Sequence, residues 1–558
     1  MKFSKMPYQR VELAPTQEKL QALLDNFKAA TTSEEAFAAF KEIETFTGYY
    51  ETMNSLAEIR HTLDTNDEFY DAENDYIDET SPELMPLEQE VTKALLASPF
   101  RKDFEAAWGT LMFDKAEMEI KTFKPEIVPD LQEENRLTSE YDKLIASAQI
   151  EYDGKTLTLA EINPYHESPD RAVREASLRA RAGWYMENAE KLDSLFDELV
   201  KVRTRMAKKL GCKNFIELGY YRMERLCYGS KEVDAFRKAV VSHIVPVVSQ
   251  IKAKQAQRIG VESIKPHDDA CLYLDGNAIP KGTPEEIFAH GKKMYHQLSK
   301  DTAAFIDFML ENELFDVLTR PGKSSGGYCA YLGAHKSPFI FANFDGTAGD
   351  IDVLTHEAGH AFASYEARDI YPSALREYTH ETAEIHSMSM EFFAWPWMEG
   401  FFGDATQKYK ESHLANALTF IPYGVMVDEF QHHIYEKPEM TPAQRNALWL
   451  ELEGKYRPHI DFKDFPFYGE GRRWQAQLHV YLIPFYYIDY CLAQTAALAF
   501  WAEDQADHGA AWEKYYRLVK LAGTKTFSDL LAGAGLASPF VPETSKDIAE
   551  AVVKWLDK

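Results

Sequence analysis

The chain has 558 residues, 61 basic against 89 acidic, and a formal charge of -28. That surplus repels nucleic acid and anionic membranes, while 45% hydrophobic and 13% aromatic residues exclude a disordered chain. Five scattered cysteines, odd in number and without a CxxC, suit a reducing compartment rather than a disulfide framework. The N-terminal MKFSKMPYQRVELAP lacks the apolar stretch of a secretory signal, so a cytoplasmic protein is expected.

From Thr16 to about Ile145 apolar residues recur at spacings of three and four, the mark of amphipathic helices. Around Asp153-Gly154 the pattern switches to alternation, which predicts a hairpin. Helices resume after Ser168, a candidate N-cap, and Gly211 is a candidate stop. Thr319 to Asp350 is irregular and glycine-rich, and its run Phe339–Phe344 reads as a strand closed by Asp345-Gly346. Beyond it the chain reads as helical to its end. The long apolar stretch Leu478–Trp501 is broken by His479, Pro484, Asp489 and Gln494, which predicts a core helix rather than a membrane span.

The segment VLTHEAGHAF contains an HExxH. Leu354, Ala358, Ala361, Phe362 and Tyr365 form one apolar stripe, so the segment should be an amphipathic helix. His356 and His360, four residues apart, then project from one side and can share a metal ion, with Glu357 within reach of a water at that ion. Gly359 costs helix propensity, which a close backbone approach would justify. A catalytic zinc needs a third protein ligand. In REYTHETAEIHSMSMEFF, Glu381, Glu384 and Glu391 share a helix face, and spacing alone leaves Glu381 and Glu384 open. His380 and His386 are further candidates. In VDEFQHHIYEK, Glu429, His432 and His433 are a weaker ligand-like group. Glu429 and His432 also form an ExxH, of the kind found in di-iron helical bundles.

HEAGHAF followed by ETAEIHSMSMEFF resembles the thimet oligopeptidase and oligoendopeptidase F family of zinc metallopeptidases, in its Pz-peptidase-like bacterial branch. SSGGYCAYL and SPFIFANFDGT upstream, and HVYLIPFYYIDYCLAQ downstream, occur in the same order as in that family. The resemblance implies a mainly α, zincin-type fold, with two helical lobes around a deep substrate channel and a small β-sheet beside the HExxH helix. Residues 1–190 would form one channel wall, and residues 191–558 the catalytic region.

It further implies one zinc ion per chain on His356, His360 and Glu384, supported by Glu391, with Glu357 as general base. His479, Tyr487 and Tyr490 match the family's downstream donors. The spacing from His479 to Tyr490 is one residue short of the thimet type, however, so Tyr486 can exchange with Tyr487. The implied activity is endoproteolysis of short unfolded peptides, with collagen-derived or proline-containing peptides suggested by the Pz-peptidase likeness. By analogy, Phe339–Phe344 would offer an exposed edge to an extended substrate. The glycine loop YGEGRR (468–473) would cover the substrate, with Arg472 or Arg473 meeting a peptide carboxylate. Tyr481 and Phe485 are expected in the core, and Cys329 as a buried thiol without chemistry.

Overall fold

The computed structural model describes residues 1–558. It contains 25 α-helices and five short strands. Local signals account for many helix ends. Thr32 and Glu35 form a reciprocal capping box at the start of Ser33–Leu63. The helix Ala189–Leu210 stops at Gly211, whose φ of 84° suits a residue without a Cβ. The helix after Ser168 is capped by Asp170, which accepts the Ala172 amide, while the Ser168 hydroxyl accepts the Asp170 amide at 3.2 Å. Ser168 therefore shapes the preceding turn, and Asp170 is the cap.

Strands β1 (Ile150–Tyr152) and β2 (Lys155–Leu157) form the expected antiparallel hairpin, with Asp153 and Gly154 both at positive φ. Strands β3 (Phe315–Leu318), β4 (Tyr328–Leu332) and β5 (Ser337–Phe344) form a second sheet in the order β3-β5-β4. This corrects one sequence expectation. Phe339–Phe344 is not an edge, because β5 pairs in parallel with β3 and antiparallel with β4. Phe339, Ile340 and Phe341 are fully buried, as befits a central strand. The edges are β3 and β4, and β4 is the one that lines the cleft described below.

The HExxH helix, Gly349–Ala367, follows β5 through a short turn. Asp350 fixes that turn by accepting the Asp345 and Gly346 amides at 2.8 and 2.9 Å. The stretch read as one core helix is divided into Leu478–Leu482 and Tyr487–Asp504. Pro484 cannot donate to a helix and disfavours helical geometry before it, and Phe485 adopts a φ of 69°. One large apolar core runs from Met6 to Val552, and a smaller cluster around Phe27, Phe40 and Phe104 sits among the N-terminal helices. No helix is long and apolar enough to cross a membrane.

Candidate active site

His356 and His360 lie one turn apart on the HExxH helix, with ring centroids 5.0 Å from each other. The facing helix, His380–Phe393, brings Glu384 between them. Glu384 Oε2 is 3.1 Å from His356 Nε2 and 3.3 Å from His360 Nε2. Two ligand atoms bound at about 2.0–2.1 Å to one tetrahedral zinc stand roughly 3.3 Å apart. Two imidazoles and a carboxylate at this separation fit such an ion in spacing and in donor type.

The helices reach this separation because Gly359 has no side chain. A Cβ there would lie 2.6 Å from both His386 O and Ser387 Cα. Backbone atoms cannot swing aside as a flexible side chain can. Gly359→Ala should therefore destabilise the fold by about 1–3 kcal/mol, overriding the roughly 1 kcal/mol of helix propensity that alanine offers. Denaturant unfolding of the metal-free protein measures this, and an unchanged or raised midpoint would contradict the close contact.

Hydrogen bonds fix the orientation of His356 and Glu384. Glu391 Oε1 is 2.7 Å from His356 Nδ1, and Glu391 Oε2 is 2.8 Å from His413 Nε2. Trp395 donates its indole N–H to His413 Nδ1 at 3.2 Å, so His413 must use Nε2–H toward Glu391. A carboxylate accepting on both oxygens takes His356 Nδ1–H as a donor, which leaves Nε2, the atom directed at Glu384, as the one a metal would use. Glu384 is held in turn by the Ser387 hydroxyl on Oε2 at 2.8 Å and by the Tyr486 hydroxyl on Oε1.

Glu357 is buried beside the pair, 5% exposed, and its Oε2 has no hydrogen-bond partner. Burial raises its carboxyl above the ordinary range, against the pull of His356 and His360. A side chain at Gly327 would come within 3.2 Å of Glu357 Oε1, so the glycine before β4 leaves the carboxylate its space.

His479 Nε2 is 3.2 Å from the Tyr490 hydroxyl, and Gln477 donates to His479 Nδ1 at 3.2 Å. Gln477 is itself held by the Tyr423 hydroxyl at 2.6 Å. Burial lowers the His479 pKa to about 4, against the charge of Glu384. The neutral ring, accepting at Nδ1, then donates Nε2–H to the Tyr490 oxygen. The Tyr490 hydroxyl hydrogen is left free for another acceptor.

These groups line a cleft of about 810 Å3. One wall carries β4 and the loop Ser324–Gly327, another the HExxH and Glu384 helices, and a third Leu478, His479, Tyr486 and Tyr490. Gly48, Glu51, Thr62 and Asp142 from the N-terminal region line it as well.

Several sequence expectations are corrected here. Tyr487 lies behind His479, 8% exposed, with its ring against Phe420 and Tyr423, while Tyr486 reaches the cleft. The expectation of Tyr487 rested on the family resemblance, whereas Tyr486, the i, i+4 partner of Tyr490 and the alternative held open beside it, is the one that lines the cleft. Glu381 is buried and turned away from His356 and His360. Burial and the nearby Asp489 raise its pKa to about 8. His386 is fully buried against Tyr378 rather than ligating.

The YGEGRR loop does not cover the cleft. Gly469 and Gly471 allow close packing against the backbone of Phe462 and Asn446, and Arg472 pairs with Asp193 at 3.3 Å. Arg473 lies over the Tyr423 ring at 4.4 Å. Glu429 bonds Lys455 at 2.7 Å, and His432 Nε2 is 3.0 Å from the Tyr220 hydroxyl, which explains both residues without a second metal. Cys329 is half-buried and lines the cleft, its thiol pKa raised by burial and then by Glu357. Residues overlooked in the sequence include Gly327 and Gln477. A glycine immediately before an edge strand was the available signal for the first, and none marked the second.

The profile of peptidase family M3 matches residues 282–549, and that of the peptidase M3 N-terminal domain matches residues 3–123. Oligopeptidase PepF of Bacillus subtilis is 22% identical over 546 residues, covering 91% of this chain and 77% of the relative. An oligoendopeptidase F homologue of Borreliella burgdorferi is 21% identical over 565 residues, covering 94% and 92%. Among solved structures, Pz peptidase A with an inhibitor is 46% identical, covers 100% of this chain and 99% of its own, and superposes with a TM-score of 0.98. A Bacillus anthracis structure described as an oligoendopeptidase F is 43% identical, with coverage of 100% and 98% and a TM-score of 0.94.

Proposed function

The chain belongs to peptidase family M3, in its oligoendopeptidase F group, and from that premise we propose that it is a zinc-dependent endopeptidase of short, unfolded peptides. The observation that carries this reading is the convergence of His356 Nε2, His360 Nε2 and Glu384 Oε2 beside the buried, unpartnered Glu357. Bound at those three atoms, zinc supplies Lewis-acid polarisation of a carbonyl and acidification of a water.

The chain's own residues complete the reaction. Glu357 Oε2 accepts the proton of the attacking water and returns it to the departing amine nitrogen. Tyr490, its oxygen held by His479 Nε2–H, turns its free hydroxyl to the oxyanion that develops on the scissile carbonyl. Tyr486 donates to Glu384 Oε1 and so directs Oε2 toward the histidines. It therefore orients a ligand, whereas Tyr490 faces the reacting oxygen. The free edge of β4 offers backbone N–H and C=O groups to an extended peptide, a mode that reads main chain more than side chain.

A cleft of about 810 Å3 lies within the ordinary size range of ligand pockets. It holds a stretch of extended chain and excludes a folded domain. We place its two sides in residues 1–190 and 191–558, with Gly48, Glu51, Thr62 and Asp142 as the contribution of the first. Proline-containing, collagen-like peptides are the proposed substrates.

The test uses internally quenched peptides of increasing length and a folded protein as control. Short peptides should be cleaved internally, chelation should abolish cleavage, zinc should restore it, and the folded control should survive. Cleavage that is insensitive to chelation, or that digests the folded control, would overturn the proposal.

A further inference from the structure

Phe485 is a bulky residue in a left-handed conformation, φ 69°, immediately before Tyr486. Such a backbone is rarely populated outside glycine and persists only where its surroundings impose it. Three separate parts of the chain do so here. Gln431, from the helix Thr406–Glu436, accepts the Phe485 amide on Oε1 at 2.9 Å. Arg225, between the helices Phe215–Arg222 and Ser230–Ala239, donates to the Phe485 carbonyl at 2.5 Å. Gly219 leaves room for the Phe485 ring, which a Cβ at that position would overlap.

The same Arg225 nitrogen also reaches Asp489 Oδ1 at 2.9 Å, and the Tyr228 hydroxyl donates to that oxygen at 3.1 Å. Arg225 and Asp489 are both fully buried, and the guanidinium lies 4.3 Å over the Tyr220 ring. The clamp therefore grips both the strained residue and the first turn of the helix Tyr487–Asp504. Between the two gripped points sits Tyr486, whose hydroxyl holds Glu384. None of the clamping side chains touches the site itself.

We propose that Gln431 and Arg225 are positioning residues: by holding Phe485 in its left-handed conformation, they aim the Tyr486 hydroxyl at Glu384 and so set the affinity of the His356–His360–Glu384 site. The inference rests on the reading of that triad as a zinc site. The turn at Pro484 and Phe485 separates the helices Leu478–Leu482 and Tyr487–Asp504, so the direction of Tyr486 is set by the backbone between them. A side chain that orients a metal ligand is worth about 10–100-fold in metal affinity.

The test is a double-mutant cycle read on zinc affinity, by competition with a chromophoric chelator, with kcat followed in parallel. Gln431→Leu removes the acceptor at similar volume, and Tyr486→Phe removes only the hydroxyl. Each single variant should weaken zinc binding by about 10-fold. With Tyr486→Phe already present, Gln431→Leu should add no more than about twofold, the limit expected when no further interaction is lost. Melting of the metal-free proteins confirms that each variant folds. If Gln431→Leu does not, Arg225→Lys keeps the buried charge, loses the bridge between Phe485 and Asp489, and carries the same expectation. Wild-type zinc affinity in Tyr486→Phe would overturn the assignment of Tyr486 as the ligand's support. A weakened Tyr486→Phe with fully additive Gln431→Leu, or with no effect of Gln431→Leu at all, would overturn the clamp alone.

Discussion

Glu357→Gln should lower kcat on a quenched peptide by on the order of 1,000-fold while zinc content stays at the wild-type level. Glutamine keeps the size of the side chain and its fit beside Gly327, but its amide cannot take a proton from water. The loss corresponds to about 4 kcal/mol of transition-state stabilisation, in the middle of the range for a positioned general base. Metal binding should survive because no hydrogen bond or ion pair joins Glu357 to His356, His360 or Glu384, and His356 and Glu384 are oriented by other groups. The fold should survive too. Glu357 Oε2 has no partner to lose, and burial already disfavours its charged form. Kinetics with zinc analysis on one preparation decides the matter. A zinc-loaded Gln variant with full activity would remove Glu357 from the mechanism. Loss of both metal and activity would make it a structural support of the site.

The two histidines and Glu357 could be read directly from the sequence, because an α-helix places i and i+4 on one side whatever surrounds it. Gly359 was legible as an anomaly, and its cause needed the facing helix, since His386 O and Ser387 Cα are brought there by tertiary packing. The supporting role expected for Glu391 matches its place against His356, although its second partner, His413, lies on a distant helix that no local pattern connects to it. Legibility failed where geometry depends on non-local pairing or on a backbone held from elsewhere in the chain. Strand order is a property of the sheet, so Phe339–Phe344 could not be told from an edge by composition. Tyr486 and Tyr487 differ by one position. Which one faces the cleft is decided by the backbone of Phe485, which Gln431 and Arg225 impose from elsewhere in the chain. The glycines of YGEGRR looked like mobility and serve close packing instead.

Glu384→Ala and Glu381→Ala form the sharper pair of variants, because the sequence spacing left these two residues equivalent. The measurement is the melting temperature of metal-stripped protein with and without added zinc. A ligand that binds only the folded state stabilises it by about 4 kcal/mol at a free concentration of 1,000 times its Kd, so the wild type should melt distinctly higher with zinc. Glu384→Ala leaves two imidazoles and no carboxylate at the site, and the zinc-dependent rise should all but vanish, together with activity. In the metal-free state this variant also loses the partner shared by His356, His360, Ser387 and Tyr486, so its starting melting temperature should move as well. Glu381→Ala should behave in the opposite way. Burial and Asp489 raise the pKa of Glu381 above the ordinary carboxylate range and favour its neutral form, so its removal leaves mainly a cavity. The metal-free protein should be less stable, yet the increment on adding zinc should remain at its wild-type size. A zinc increment lost in Glu381→Ala and kept in Glu384→Ala would reverse the ligand assignment and dismantle the site built on it.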